Sequence, residues 1–359
     1  MKKTVLMLGT RKGAFLAWSD ESRSDWTLGE PAFKGCEVNH VACIWRPAPR
    51  LMVAGKSHWW GPATKYSDDL GETWLEPERD IRFAEGGDHV LERVWCFADG
   101  AADGAVYAGV DPAALFRSTD GGVNWEEVPA LTAHPTRDKW FPGKGGLMVH
   151  SICPGKDAGQ LFAGVSAAGV FRSDDGGESW LPRNHGVRAD FLPEKYPDVG
   201  QCVHHLASHP SKPGVLYQQN HCGVYRTDDA GETWVDISEG LPSRFGFPVA
   251  VHPLEGDMIF VIPEESDEHR MMPDGAFRVY RSMDAGRTWE PMTNGLPQSG
   301  AYQNVLRQGM AFDQHTEPGL YVGTQGGQLL ASLDNGESWE VLFNWLPPIY
   351  SVEAAVIDG

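Results

Sequence analysis

The chain has 359 residues, 41 % hydrophobic and 22 % charged, the composition of a globular protein able to bury a sizeable core, and its length alone suggests about two domains. A formal charge of −19, with no lysine/arginine run longer than two, argues against nucleic acid or an anionic membrane surface as partner. The 42 glycines and 25 prolines are spread along the whole chain, which predicts many short strands and turns rather than long helices or disorder.

At the N-terminus the apolar run Val5 to Leu8 is followed by Arg11 and Lys12, too short for the apolar region of a signal peptide. No apolar stretch reaches membrane-spanning length. Six cysteines occur with no C-x-x-C, and Cys43, Cys96 and Cys153 fall in apolar runs, so a reduced, cytoplasmic protein is expected. The first strands read "VLMLG" and "GAFLA", followed by "WSDESRSDW" (18–26).

A sharper form of that segment then recurs six times: "YSDDLGETW" (66–74), "RSTDGGVNW" (117–125), "RSDDGGESW" (172–180), "RTDDAGETW" (226–234), "RSMDAGRTW" (281–289) and "ASLDNGESW" (331–339). The shared core is Ser/Thr, any residue, Asp, any residue, Gly, any residue, Thr/Ser/Asn, Trp. The terminal tryptophans are 48 to 55 residues apart, a period that signals a propeller-type array. Between boxes the order of elements is constant. In 148–182, "MVHSIC", "LFAGV", "VFRS" and "WLPR" read as four up-and-down strands, one propeller blade, and "VWCF…AVYAGV…ALFRS…WEEV" and "HHLASHP…VLYQQ…GVYRT…WVDI" match it. The C-terminal "YSVEAAVID" reads as a first strand that pairs with the N-terminal strand through Val352 to Ile357, closing the ring and removing its free edges. The expected fold is all-β, a seven-bladed propeller of four-stranded antiparallel blades forming one domain, 1–359.

Each box fits a tight turn between a blade's third and fourth strands. In the copy at 172–180, Gly177 supplies a positive φ, Asp175 accepts turn amides, Ser173 and Ser179 add hydroxyl bonds, and Trp180 wedges between blades. The spacing lacks the alternating acids and distal glutamate of a calcium loop. The boxes resemble the Asp-box, or BNR, repeat of sialidases, xyloglucanases, sortilin-type receptors and photosystem II assembly factors. The resemblance implies a propeller with the boxes at the end opposite the binding face, and it covers nearly the whole chain while pointing to no single activity.

With the boxes at the bottom, the innermost strands start at the top, where Asn39, His40, Glu92, Arg93, His150, His204, His205, Phe247, Arg307, Gln308 and Tyr350 ring the axis. Top loops add Arg11 and Lys12, "SHWWG" with His58, Trp59 and Trp60, Asp111, "NHCG" (220–223) with His221, "EESDEHR" (264–270) with Glu264, and two insertions, 134–146 and 188–200. A concave mouth with convergent polar and aromatic groups is the default ligand site. Arg11, His40, His58, Trp59, Trp60, Arg93, His150, His204, His221, Arg307 and Gln308 are the candidate ligand contacts, with Trp59 and Trp60 as stacking plates for a sugar ring. Bland readings stand beside these: hydrated channel histidines, packing tryptophans and solvated surface acids. His205 and His209 lie on one strand and do not form the helical metal pair their spacing suggests, and "GKGG" (143–146) lacks the helix of a phosphate loop.

Three functions compete. A glycoside-acting enzyme needs two carboxylates across the scissile bond, and Glu92 and Asp111 are the candidates. The sialidase resemblance instead implies a tyrosine nucleophile with a glutamate partner and carboxylate-gripping arginines, for which Tyr350, Glu92, Arg11, Arg93 and Arg307 offer the residue types. The Arg-Ile-Pro motif of sialidases is absent, and "WRPAP" (45–49) does not replace it. The second function is a non-enzymatic platform like the photosystem II assembly factors. The third is a metal-assisted lyase using His150, His204 and Gln308. The leading expectation is a top-face pocket for a carbohydrate or other small polar ligand, with glycosidase-like cleavage a further option and no cofactor or resident metal.

Overall fold

The computed structural model describes residues 2–45, 48–87, 89–100, 104–143, 145–155 and 157–358. Arg46 of the "WRPAP" segment and Lys144 of "GKGG" lie outside them. Seven antiparallel sheets form a ring, six with four strands and one, at 37–67, with three. In that blade the Tyr66–Leu75 bridge stands where the fourth strand would be. The single α-helix among the described residues, Pro129–Thr132, has four residues, and no helix there is long and apolar enough to cross a membrane.

The ring closes as the sequence predicts. Ile349–Asp358 pairs with Lys2–Thr10, with Leu8 opposite Val352 and Lys3 opposite Ile357, so the first blade takes its innermost strand from the C-terminus. The core is divided into seven apolar clusters, one between each pair of neighbouring blades. Each box tryptophan enters one of them: Trp180 packs with Tyr107 and Leu115 of the preceding blade, and Trp339 with Phe260 and Met292. The wedge role follows from size, since an indole fills the tapering gap between two twisted sheets.

The aspartate turns share one hydrogen-bond scheme. Ser173 Oγ accepts the Gly177 amide at 2.8 Å and donates to Asp175 Oδ1 at 2.8 Å. Asp175 also accepts the Ser179 amide at 2.9 Å and the Ser179 hydroxyl at 2.6 Å. Gly177 sits at φ 96°, where a side chain would be strained. Burial pushes the Asp175 carboxyl up, but the bonds from Ser179 and Ser173 outweigh it and hold it below the ordinary carboxylate range.

The worn first copy departs from this scheme in a useful way. Arg23 occupies the position of the turn glycine and adopts φ 55°. Trp26 Nε1 still donates to the carbonyl of that position at 3.0 Å, as Trp125 does to Gly122 at 3.1 Å. The side chain that replaces the glycine hydrogen crosses to the last blade. Arg23 Nη1 bonds Asp313 Oδ2 at 3.0 Å and the Glu317 carbonyl at 2.9 Å. Asp313, fully buried, further accepts Tyr321 Oη at 2.8 Å and the amides of His315 and Gly319 at 3.1 Å each, and His315 Nε2 meets Thr4 Oγ1 at 2.8 Å. The sheet pairing and this buried cluster together join first blade to last.

Candidate functional site

The axis is built by a repeated backbone irregularity. Six innermost strands carry one residue more than their partners, a β-bulge near the strand start. The extra residue is Asn39 (between the Val38–Gly55 and His40–Ala54 pairs), Trp95, His150, His204 or Tyr350, and in the sixth blade it falls at Phe247–Pro248. A bulge re-aims the side chain out of the alternating pattern, and these residues gather round the axis. The seventh blade supplies Arg307 and Gln308 just ahead of its strand Met310–Phe312, and Gln308 bridges in parallel to Ser351. Opposite the bulges, second strands carry glycine where blades crowd. A Cβ on Gly164 would lie 2.8 Å from Val203 Cγ1, and one on Gly109 2.7 Å from Val149 Cγ1.

Above the bulges opens a cavity of about 610 Å3. Asn39, Trp95, His204 and Tyr350 line it from the bulges, with Arg93, Arg307, Gln308 and Glu37 beside them. The two insertions contribute Phe141 and Phe191, and the loop after Pro263 contributes Asp267 and Arg270. The cavity thus combines aromatic side chains with three arginines, Arg93, Arg270 and Arg307.

The guanidinium groups sit on aromatic faces. Arg93 and Arg307 each lie 5.5 Å from the Trp95 ring centre, Arg307 lies 4.6 Å from that of Phe247, and Arg270 lies 5.4 Å from the same ring. Arg93 has a counter-charge in Asp111 at 3.5 Å. Arg307 makes no ion pair among the described residues, and its buried Nε is unsatisfied. Burial lowers Arg307 to about 10, so it stays charged at neutral pH. Glu264 is wholly buried with both carboxyl oxygens unsatisfied, and burial raises it to about 8 despite Arg270 and Arg307. It is therefore mostly protonated at pH 7 and gives Arg307 no full counter-charge.

His150 and His204 are neutral. His150 Nδ1 donates to the Val203 carbonyl at 2.8 Å and His204 Nδ1 to the Gly246 carbonyl at 2.6 Å, which leaves each Nε2 without a proton. Burial, with Arg307 adding to it, pushes both well below the usual histidine range.

Of the sequence candidates, the structure brings Arg93, His204, His221, Arg307, Gln308 and Tyr350 to the cavity wall. His150 does not line it; its ring is tilted against Trp95 with centres 5.0 Å apart, and Gln308 Nε2 donates to its carbonyl at 2.6 Å. His40, next to the bulged Asn39, turns into the blade interface, where Nδ1 accepts the Phe97 amide at 3.3 Å and burial lowers it to about 3. Glu92 is bound to Lys56 at 2.9 Å, which holds it below the ordinary range, and Asp111 stands behind Arg93. Neither carboxylate lines the cavity. Arg11 is exposed, its amide donating to the Pro348 carbonyl at 3.0 Å. His58, Trp59 and Trp60 stay out on the second blade, Trp59 94 % exposed and Trp60 against Phe33 at 5.7 Å.

Sequence reasoning missed Trp95, Glu37 and Cys202, and it placed the loop 264–270 at the mouth without singling out Asp267 or Arg270. Trp95 was hidden inside an apolar strand run, and only the bulge register reveals it. Cys202 adjoins the predicted His204, and one ligand atom each of Cys202, His204 and His221 lies within 4.8 Å of the others, the residues best placed to hold a metal ion.

Fold and site define a seven-bladed propeller with a preformed arginine–aromatic mouth. No family model matches the chain. It is similar to a xyloglucanase from Hypocrea jecorina, 28 % identical over 252 residues, 63 % of this chain and 28 % of that one. It is likewise similar to the photosystem II assembly lipoprotein Ycf48 of Synechococcus sp., 27 % identical over 230 residues, 64 % of this chain and 56 % of that one. The chain thus spans about a quarter to a half of these relatives' lengths. A solved structure of YCF48 bound to D1 peptide superposes with a TM-score of 0.53 at 14 % identity, over 92 % of this chain and 96 % of that one, a likeness of fold.

Proposed function

We propose that the chain is a ligand-binding propeller whose mouth takes a small carboxylate-bearing molecule, an acidic sugar foremost. The observation that carries this is the trio Arg93, Arg270 and Arg307 held on the Trp95 and Phe247 rings, with no carboxylate paired to Arg307. A guanidinium matches a carboxylate with two parallel hydrogen bonds, and aromatic walls take the apolar face of a sugar ring. The likeness to a xyloglucanase supports a saccharide, and the peptide-bound YCF48 structure shares the fold with a ligand that can end in a carboxylate.

Calorimetric titration of the full chain tests the reading with glucuronic acid, N-acetylneuraminic acid, neutral glucose, and a short peptide with free or amidated C-terminus. Acidic sugars are expected to bind at least about tenfold more tightly than glucose, and Arg307→Met to weaken them roughly 10- to 100-fold, the worth of one charged hydrogen-bond pair. Equal binding of glucose, or no effect of Arg307→Met, would sink the proposal. A second reading, cleavage of an acidic glycoside, has one observation in its favour: Tyr350 and Glu37 both line the cavity, burial and then Glu37 push the Tyr350 hydroxyl up, and in this tyrosine–glutamate pair Glu37 takes the place expected of Glu92. Release of a chromogenic aglycone, lost in Tyr350→Phe, would favour it.

A further inference from the structure

We propose that Cys202, His204 and His221 form a site for a thiophilic divalent ion, zinc in first place, on one wall of the mouth with a fourth position open to the cavity. The proposal rests on different residues from the carboxylate reading and does not need it. One ligand atom from each residue lies within 4.8 Å of the other two. In a tetrahedral zinc site such atoms are ~3.5 Å apart, so the side chains need to draw together by only about 1 Å.

The frame is rigid. All three residues belong to one blade: Cys202 just precedes the strand Val203–Ser208, His204 is its bulged residue, and His221 stands in the turn after Leu216–Asn220. The His221 amide donates to the Cys202 carbonyl at 3.0 Å, which fastens the two backbones. Cys202 and His204 are buried.

His204 is also oriented as a metal ligand is, and a carboxylate stands near His221. His204 gives its Nδ1 proton to the Gly246 carbonyl at 2.6 Å, leaving Nε2 as the bare nitrogen. His221 Nε2 stands 3.7 Å from Asp267 Oδ2. A carbonyl or carboxylate behind the ring is the usual support of a ligating imidazole.

The donor set selects the ion. One sulfur and two imidazole nitrogens suit zinc or copper and not calcium or magnesium, which need oxygens. Arg270 and Arg307 stand near the sulfur and oppose a cation, and burial holds the Cys202 thiol above its ordinary value although Ser166 and the two arginines pull the other way, so an ion must displace the thiol proton as it binds. With that proton displaced, Cys202 and Asp267 together supply two negative charges against the ion's two positive ones.

The test uses the full chain stripped with a chelator and titrated with Co2+ and then Zn2+. The expected result is one Co2+ per chain at micromolar concentration, with sulfur-to-cobalt charge-transfer absorption in the near ultraviolet, displaced by one Zn2+. Cys202→Ser should abolish that absorption and weaken Zn2+ at least about 100-fold. Cys222→Ser, at the neighbouring buried thiol, should retain both. Thermal melting of each variant checks folding, and His204→Gln, a near-isosteric change, gives a second loss of affinity should the serine variant melt early. Absence of stoichiometric binding, or a charge-transfer band that survives Cys202→Ser, overturns the proposal.

Discussion

Replacing Asp313 by alanine tests how the ring is held shut. Asp313 is 0 % exposed and Arg23 8 %, so removing the carboxylate strands a guanidinium whose Nε already lacks a partner. Breaking a buried pair in this way costs about 3–5 kcal/mol. With an unfolding entropy of about 2.1 cal/mol/K per residue, 359 residues give roughly 0.75 kcal/mol/K, so Tm should fall by about 4–7 °C. The structure also predicts an asymmetry. In Arg23→Met the carboxylate keeps Tyr321 Oη and two amides, so that change should cost about 1–3 kcal/mol, clearly less. The double variant should be milder than the sum of the singles by at least about 1 kcal/mol. Scanning calorimetry of the four proteins measures all three quantities. Tm of Asp313→Ala within about 1 °C of the parent, or Arg23→Met the more harmful change, would refute the closure role.

Three further outcomes are expected. Asp175→Ala should cost about 1 kcal/mol at pH 7, the range of a lost capping side chain, and the cost should shrink as pH falls toward 2, because the lowered native pKa makes the aspartate's contribution present above its ordinary value and lost on protonation; Tm against pH for both proteins checks it. Glu264 has the opposite sign: raised to about 8, it binds its proton more tightly when folded, so stability declines between about pH 4.5 and 8, by at most roughly 5 kcal/mol, and Glu264→Gln should remove that decline, the difference between the two Tm curves cancelling the buried histidines. Gly164→Ala should destabilise by about 1–3 kcal/mol through its clash with Val203, read by denaturant midpoint, and an unchanged midpoint would mean that the blades can part there.

The repeat made the fold legible. Seven tryptophans at near-constant spacing gave the blade number, and an orphan strand at the C-terminus gave the closure. The mouth was legible only in part, because strand starts can be located from turns but side-chain direction there depends on the bulge. Period-2 alternation places His40 and Asn39 on opposite faces without saying which meets the axis, and it reads Trp95 as one more core residue of "VWCF". Asp267 and Arg270 sit in the charged loop "EESDEHR", which strand order places at the mouth, but which of its side chains turn inward is set by its return over Phe247. Trp59 and Trp60 show the converse error, since a conspicuous aromatic pair stayed outside.

The extra residue at the head of six of the innermost strands also separates inheritance from invention. It takes no partner in the ladder, so exchanging asparagine, tryptophan, histidine or tyrosine there leaves the neighbouring backbone bonds as they were. A ring of this kind can change what it recognises one blade at a time, through substitutions that its architecture barely registers.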